Sequence, residues 1–112
     1  MNKTGLINKS CVPCQGGMLP LGQVLTQNLL AELNAGWIIN ETGHLYKTYE
    51  FRDFMEAMDF AHKIAEVAEK ESHHPNVTIA WGECSLEIWT HKIFGLTESD
   101  FVLAAKIEAI KE

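Results

Sequence analysis

The sequence predicts a single α+β domain in the order αββαββα, with a four-stranded antiparallel sheet carrying its helices on one face. Three observations lead there. Three stretches repeat apolar residues every three or four positions, two pairs of short alternating runs are each joined by a tight turn, and 112 residues suit one hydrophobic core.

The elements follow in order. Residues 1–20 lack periodicity and hold Cys11, Pro13, Cys14, Gly16, Gly17 and Pro20, so they read as an irregular lead-in, with the domain itself spanning 21–112. Leu21, Val24, Leu25, Leu29 and Leu33 then mark one face of a helix that Gly36 stops. Trp37–Asn40 and Leu45–Phe51 are rich in β-branched and aromatic residues and flank Glu41-Thr42-Gly43-His44, which predicts a hairpin. A second helix carries the stripe Phe54, Ala57, Met58, Ala61, Ile64 and Ala68, with Asp53 as N-cap and Glu56 three residues on. It must end near Ser72, because Pro75 disfavours helical geometry at His74.

Val77, Ile79 and Trp81 alternate with polar residues, and after Gly82-Glu83 so do Leu86 and Ile88, giving strands three and four. Gly95 ends that pattern, and Thr97, an N-cap with Asp100 three residues later, opens a final helix through Phe101, Ala104 and Ala105. Strand four turns Leu86 and Ile88 one way and Glu87, Trp89 and His91 the other. The face bearing Trp89 is therefore expected to be partly bare and to meet a second subunit or a ligand.

Composition narrows the function classes. A net charge of −6 with only 9 Lys and Arg argues against nucleic acid as a partner. No apolar run is long enough to span a bilayer, and the first residues lack the hydrophobic stretch of a secretory signal, so cytoplasmic residence is expected. Three cysteines cannot all pair within the chain and are read as thiols. Cys11-x-x-Cys14 has the spacing of half a zinc site, but no second pair follows.

The richest chemistry lies in Glu69-Lys70-Glu71-Ser72-His73-His74-Pro75, followed at a distance by Trp81, Trp89, His91 and Asp100. Histidine exchanges protons near neutral pH, so three of them in neighbouring segments suggest proton transfer, with Asp100 able to orient one. The plainer alternative is that His73 and His74 cap a helix C-terminus and His91 is an ordinary strand residue. A metal site built from His73, His74, His91 and Asp100 is permitted by residue type, although adjacent side chains in extended backbone point apart. His44 and His62 have no partner nearby in sequence and read as structural or exposed.

His73-His74-Pro75, an aromatic at Trp81, Trp89-Thr90-His91, Gly95-Leu96-Thr97-Glu98-Ser99-Asp100 and the following Phe101-Val102-Leu103-Ala104-Ala105 resemble the signature of the pterin-4a-carbinolamine dehydratase family. Gly36-Trp37, Phe51-Arg52-Asp53-Phe54 and the placement of Glu69 before His73 extend the resemblance over about residues 21–110. It implies dehydration of a 4a-hydroxytetrahydropterin, left by an aromatic amino acid hydroxylase, to quinonoid dihydropterin, with no cofactor and no metal. It also implies a homodimer or homotetramer assembled through the sheet. By position, His73 and His91 become acid and base, His74 holds the substrate, and Asp100, Glu69 and Trp81 line the pterin site. The family also includes non-catalytic dimerisation modules, a competing role for which three histidines would have no use. Ser72 stands where the family often has Asn or Asp, and Ile93 where some animal members have Cys.

Overall fold

The computed structural model describes residues 5–11, 20–34, 36–93 and 95–111. After a single 3-10 turn at Gly5–Asn8 come α1 (Gln23–Ala31), β1 (Ile38–Ile39), β2 (Leu45–Glu50), α2 (Phe54–Glu71), β3 (Asn76–Ala80), β4 (Glu83–Ile88), a 3-10 turn at His91–Ile93, and α3 (Glu98–Lys111). The four strands form one sheet in the order β1-β2-β4-β3, every pair antiparallel. The predicted α+β order is thus the observed one.

Register decides the two faces. Leu45 pairs with Ile88, Lys47 with Leu86 and Tyr49 with Cys84, while Ile79 lies opposite Cys84 from the other side. Leu45, Tyr49, Cys84, Leu86 and Ile88 are all buried, and α2 lays Ala57, Phe60, Ile64 and Ala68 on the same side. Burial of this alternating set, at about 25 cal/mol per Å² of apolar surface, is what holds helix to sheet. The opposite face presents Tyr46, Thr48, Ser85 and Glu87.

The capping of α2 follows the sequence. Asp53 accepts a hydrogen bond from the Glu56 N–H at 2.9 Å, and the Glu56 carboxylate reaches back to the N–H of Arg52. At the other end Ser72 adopts a left-handed conformation (φ 54°, ψ 38°), and the His73 N–H closes the helix onto the Ala68 carbonyl.

Two expectations change. The first concerns α1, whose expected apolar face is not a continuous seal. It runs only from Gln23 to Ala31 and has no buried residue, and Val24 and Leu25 are 74% and 56% exposed. It is pinned at its ends instead. Leu21 donates its N–H to the Leu96 carbonyl before the helix starts, and Leu33 is buried after it stops.

The second concerns the lead-in. Residues 5–11 are ordered against the domain, with Leu6 buried in the core. The reason lies in α3. Its run from Phe101 to Ala105 is buried all round, and a helix without a polar stripe needs cover on every side. The Gly5–Asn8 turn packs against α3, and Lys106 of α3 donates to the Ile7 carbonyl at 3.0 Å. Cys11 continues this strap, its N–H donating to Glu71 at 2.9 Å and its thiol to the Ser99 carbonyl. Burial and the nearby Glu71 carboxylate push that thiol up to about 12, which keeps it protonated. Cys14, its partner in the C-x-x-C spacing, lies outside the described residues. No helix among the described residues is long and apolar enough to cross a membrane.

Candidate active site

The left-handed turn at Ser72 carries the chain away from α2, and Pro75 keeps it extended into β3, so His73 and His74 fall in the short link between the two. Asn76 pairs with Glu87 at the start of β3. Continuing that register backwards brings His73 opposite Thr90, the residue just before the His91–Ile93 turn. The loop before β3 is joined through Asp100 to Thr90 just past β4, while His91, the residue expected at this meeting, sits beyond the strand against Trp89.

Asp100 joins these segments. It stands in the first turn of α3 and is 0% exposed. One carboxylate oxygen, Oδ2, accepts the Thr97 N–H at 2.8 Å and the Thr90 hydroxyl at 2.9 Å. The other, Oδ1, lies 2.6 Å from His73 Nε2. Because the Thr90 proton is committed to Asp100, the Thr97 hydroxyl must donate to Thr90 across their 3.0 Å contact. A carboxylate that only accepts requires the proton of neutral His73 on Nε2, leaving Nδ1 with a free lone pair. The His73 side chain is 14% exposed, whereas Asp100 behind it is not exposed at all.

His74 turns elsewhere. Its Nε2 lies 2.6 Å from Glu69 in the last turn of α2, and both side chains are largely exposed. Beside them, between α2 and β3, is a cavity of about 270 Å³ walled by Ile64, Ala65, Ala68 and Val77, with Glu69 and His74 contributing polar edges. The two adjacent histidines thus address different carboxylates. Among the described residues no three His, Cys, Asp or Glu side chains are arranged to hold a metal ion.

His91 is exposed, and its ring lies on Trp89 with centroids 4.3 Å apart and planes at 29°. Trp81 is not brought to this group. It is 73% exposed in the turn after β3, and seven residues at about 3.3 Å per extended residue put it roughly 20 Å from His74. Asp100 is fully buried and holds three protein donors, so the fold places it behind His73 rather than at an open surface. Thr90 escaped the sequence reading as a partner of Asp100. The Thr97-x-x-Asp100 spacing signals a cap, but only the fold reveals that the same carboxylate also serves His73.

Comparison with known proteins identifies the family. The family model for pterin 4 alpha carbinolamine dehydratase matches residues 20–110. Relatives bearing that family's name include one from Rickettsia bellii, 58% identical over 95% of this chain and 94% of its own length. Another, from Rubrobacter xylanophilus, is 44% identical over 94% of this chain and 97% of its own. A crystal structure described as a transcriptional coactivator/pterin dehydratase from Brucella melitensis superposes with a TM-score of 0.77 at 30% identity, covering 83% of this chain and 99% of that one. With the family model spanning residues 20–110 and these relatives matching over most of their length, the chain belongs to the pterin 4 alpha carbinolamine dehydratase family.

Proposed function

We propose that this protein dehydrates 4a-hydroxytetrahydropterin to quinonoid dihydropterin by histidine acid–base chemistry, in the recycling of tetrahydropterin behind an aromatic amino acid hydroxylase. The C4a–O bond breaks, the hydroxyl leaves as water with a proton from an acid, N5–H gives its proton to a base, and a C4a=N5 double bond forms. Two groups that exchange protons near neutral pH are enough for this. The observation that carries the reading is the buried Asp100 beside His73, which fixes the imidazole tautomer and leaves Nδ1 as a proton acceptor.

His91, at the surface and without a carboxylate partner among the described residues, serves as the second proton carrier. The exposed His74–Glu69 pair holds polar edges of the substrate beside the apolar cavity. Asp100 acts through His73 rather than on the pterin. Trp81 is left outside the protomer's own pocket. The protein works as a cytoplasmic homodimer or homotetramer, using the polar sheet face with its exposed Ile38 as a contact surface.

The test is the dehydration rate of purified wild type against His73→Ala, His74→Ala and His91→Ala, followed by pterin absorbance. Fast turnover that falls by about 10²-fold or more for His73→Ala and His91→Ala, and mainly rises in KM for His74→Ala, supports the assignment. Wild type no faster than buffer overturns it. That outcome would favour a protein-binding module, the reading to which the coactivator description of the Brucella melitensis structure points.

A further inference from the structure

Each of the other two histidines of the site has a carboxylate to hold it, whereas the ring nitrogens of His91 have no hydrogen-bond partner among the described residues. Among the described residues its ring contact is the face of Trp89. Trp89 in turn carries a second imidazole, that of His44, stacked with centroids 4.0 Å apart and planes within 5°. Two imidazoles that close to one indole would overlap if they shared a face, so His44 and His91 occupy opposite faces. Both sides of Trp89 are covered, and it offers no platform for a flat ligand.

His44 is itself fixed. It lies one residue before β2, and the β2–β4 register sets it opposite Trp89. Its Nδ1 donates to Glu87 at 2.6 Å, and its side chain is only 16% exposed. Glu87 also accepts the Asn40 side-chain amide at 3.1 Å and the Thr42 hydroxyl at 3.2 Å. The hairpin turn between β1 and β2 therefore grips Glu87, Glu87 grips His44, and His44 backs Trp89.

We infer that His44 and Trp89 are positioning residues that clamp His91 in its working orientation, the β1–β2 hairpin being the anchor of the clamp. The inference rests on the proposed role of His91 and extends it to residues with no contact to substrate. Stacking of two aromatic rings contributes beyond area burial because offset faces match in charge distribution. An exposed imidazole without such a backstop would sample several rotamers, and misplacement by about 1 Å costs up to about 10²-fold in rate.

The experiment measures kcat and KM for Trp89→Leu, Trp89→Phe and His44→Ala, each alone and in a His91→Ala background. The clamp predicts that Trp89→Leu and His44→Ala lower kcat by about tenfold or more, that Trp89→Phe retains most of the rate, and that none lowers it further once His91 is gone. Equal losses in both backgrounds would overturn it, since they would report general destabilisation. The histidine ring protons, read by NMR, decide the geometry whether or not the protein turns over. Indole ring-current shifts on both His44 and His91, lost together in Trp89→Leu, support the clamp. Ordinary shifts for either ring in wild type would refute it, while absent turnover alongside intact ring-current shifts would overturn only the role assigned to His91 and with it any positioning for catalysis.

Discussion

Replacing Asp100 with Asn changes one oxygen to an amide nitrogen at constant shape, and the site restricts how the new group can sit. The amide oxygen must stay where Oδ2 was, because the Thr97 N–H and the Thr90 hydroxyl both donate there. The NH₂ then faces His73 Nε2 across the former 2.6 Å contact, and two donors cannot face each other. The His73 proton must move to Nδ1, which abolishes the free lone pair proposed as the base. Loss of a positioned acid or base costs about 10²- to 10⁴-fold, and kcat for 4a-hydroxytetrahydropterin should fall by that factor, with KM little changed. Stability falls as well. Charge-assisted bonds contribute about 1.5–3 kcal/mol each against about 1 for neutral ones, so weakening three of them costs roughly 2–4 kcal/mol. At about 4–8 °C per kcal/mol for a domain near this size, Tm should drop by roughly 8–30 °C in a circular dichroism melt. An Asp100→Asn protein that melts earlier yet keeps kcat within about twofold of wild type, assayed below its Tm, would refute the orienting role. So would an undiminished further loss of rate when the change is added to His73→Ala.

Ser72 holds a left-handed backbone that costs an ordinary L-residue about 1–2 kcal/mol and that Asn tolerates better, so Ser72→Asn should raise stability by about 0.5–1 kcal/mol in urea unfolding, with KM unchanged. Removing the exposed His74–Glu69 pair by Glu69→Gln should leave stability within about 0.5 kcal/mol of wild type and show itself in KM alone. Leu6→Ala should cost about 2–4 kcal/mol, which truncation of a disordered lead-in would not. The Glu71 carboxyl is held below the usual carboxylate range by the Cys11 N–H and then by Lys106, and that of Glu87 by the Asn40 amide and His44. Groups so lowered stabilise the fold fully above the ordinary carboxylate value, and this stabilisation is lost as pH falls through the folded-state values. Acid-unfolding curves of Glu71→Gln and Glu87→Gln should accordingly be shallower than that of wild type in that range.

Much of this protein can be read from local pattern. Alternation at Leu86 and Ile88, the three-and-four spacing of Ala57, Ala61, Ile64 and Ala68, the Asp53 cap and the break before Pro75 are short-range consequences of backbone geometry, and each recurs in the fold, although Phe54 and Met58 of the expected stripe are exposed and Phe60 is buried instead. Motif spacing likewise singles out His73, His74, Asp100 and His91 as candidates for the proposed chemistry. Tertiary structure alone decides which of them meet. Asp100 belongs to His73 rather than to a ligand because α3 and the end of β4 converge on one buried carboxylate. His44 joins His91 because β2 and β4 are adjacent in the sheet, although the residues lie far apart in the chain. Trp81, close to His74 in sequence, is carried away by an extended strand. The lead-in belongs to the core because the Phe101–Ala105 run of α3 is buried on all sides, a demand that α3 makes but that residues 5–11, read by themselves, do not disclose. Sequence determines what each short segment can be, since propensity and periodicity act over a few residues. Partnership between segments depends on sheet order and on which surfaces need cover, and those are properties of the whole packed chain.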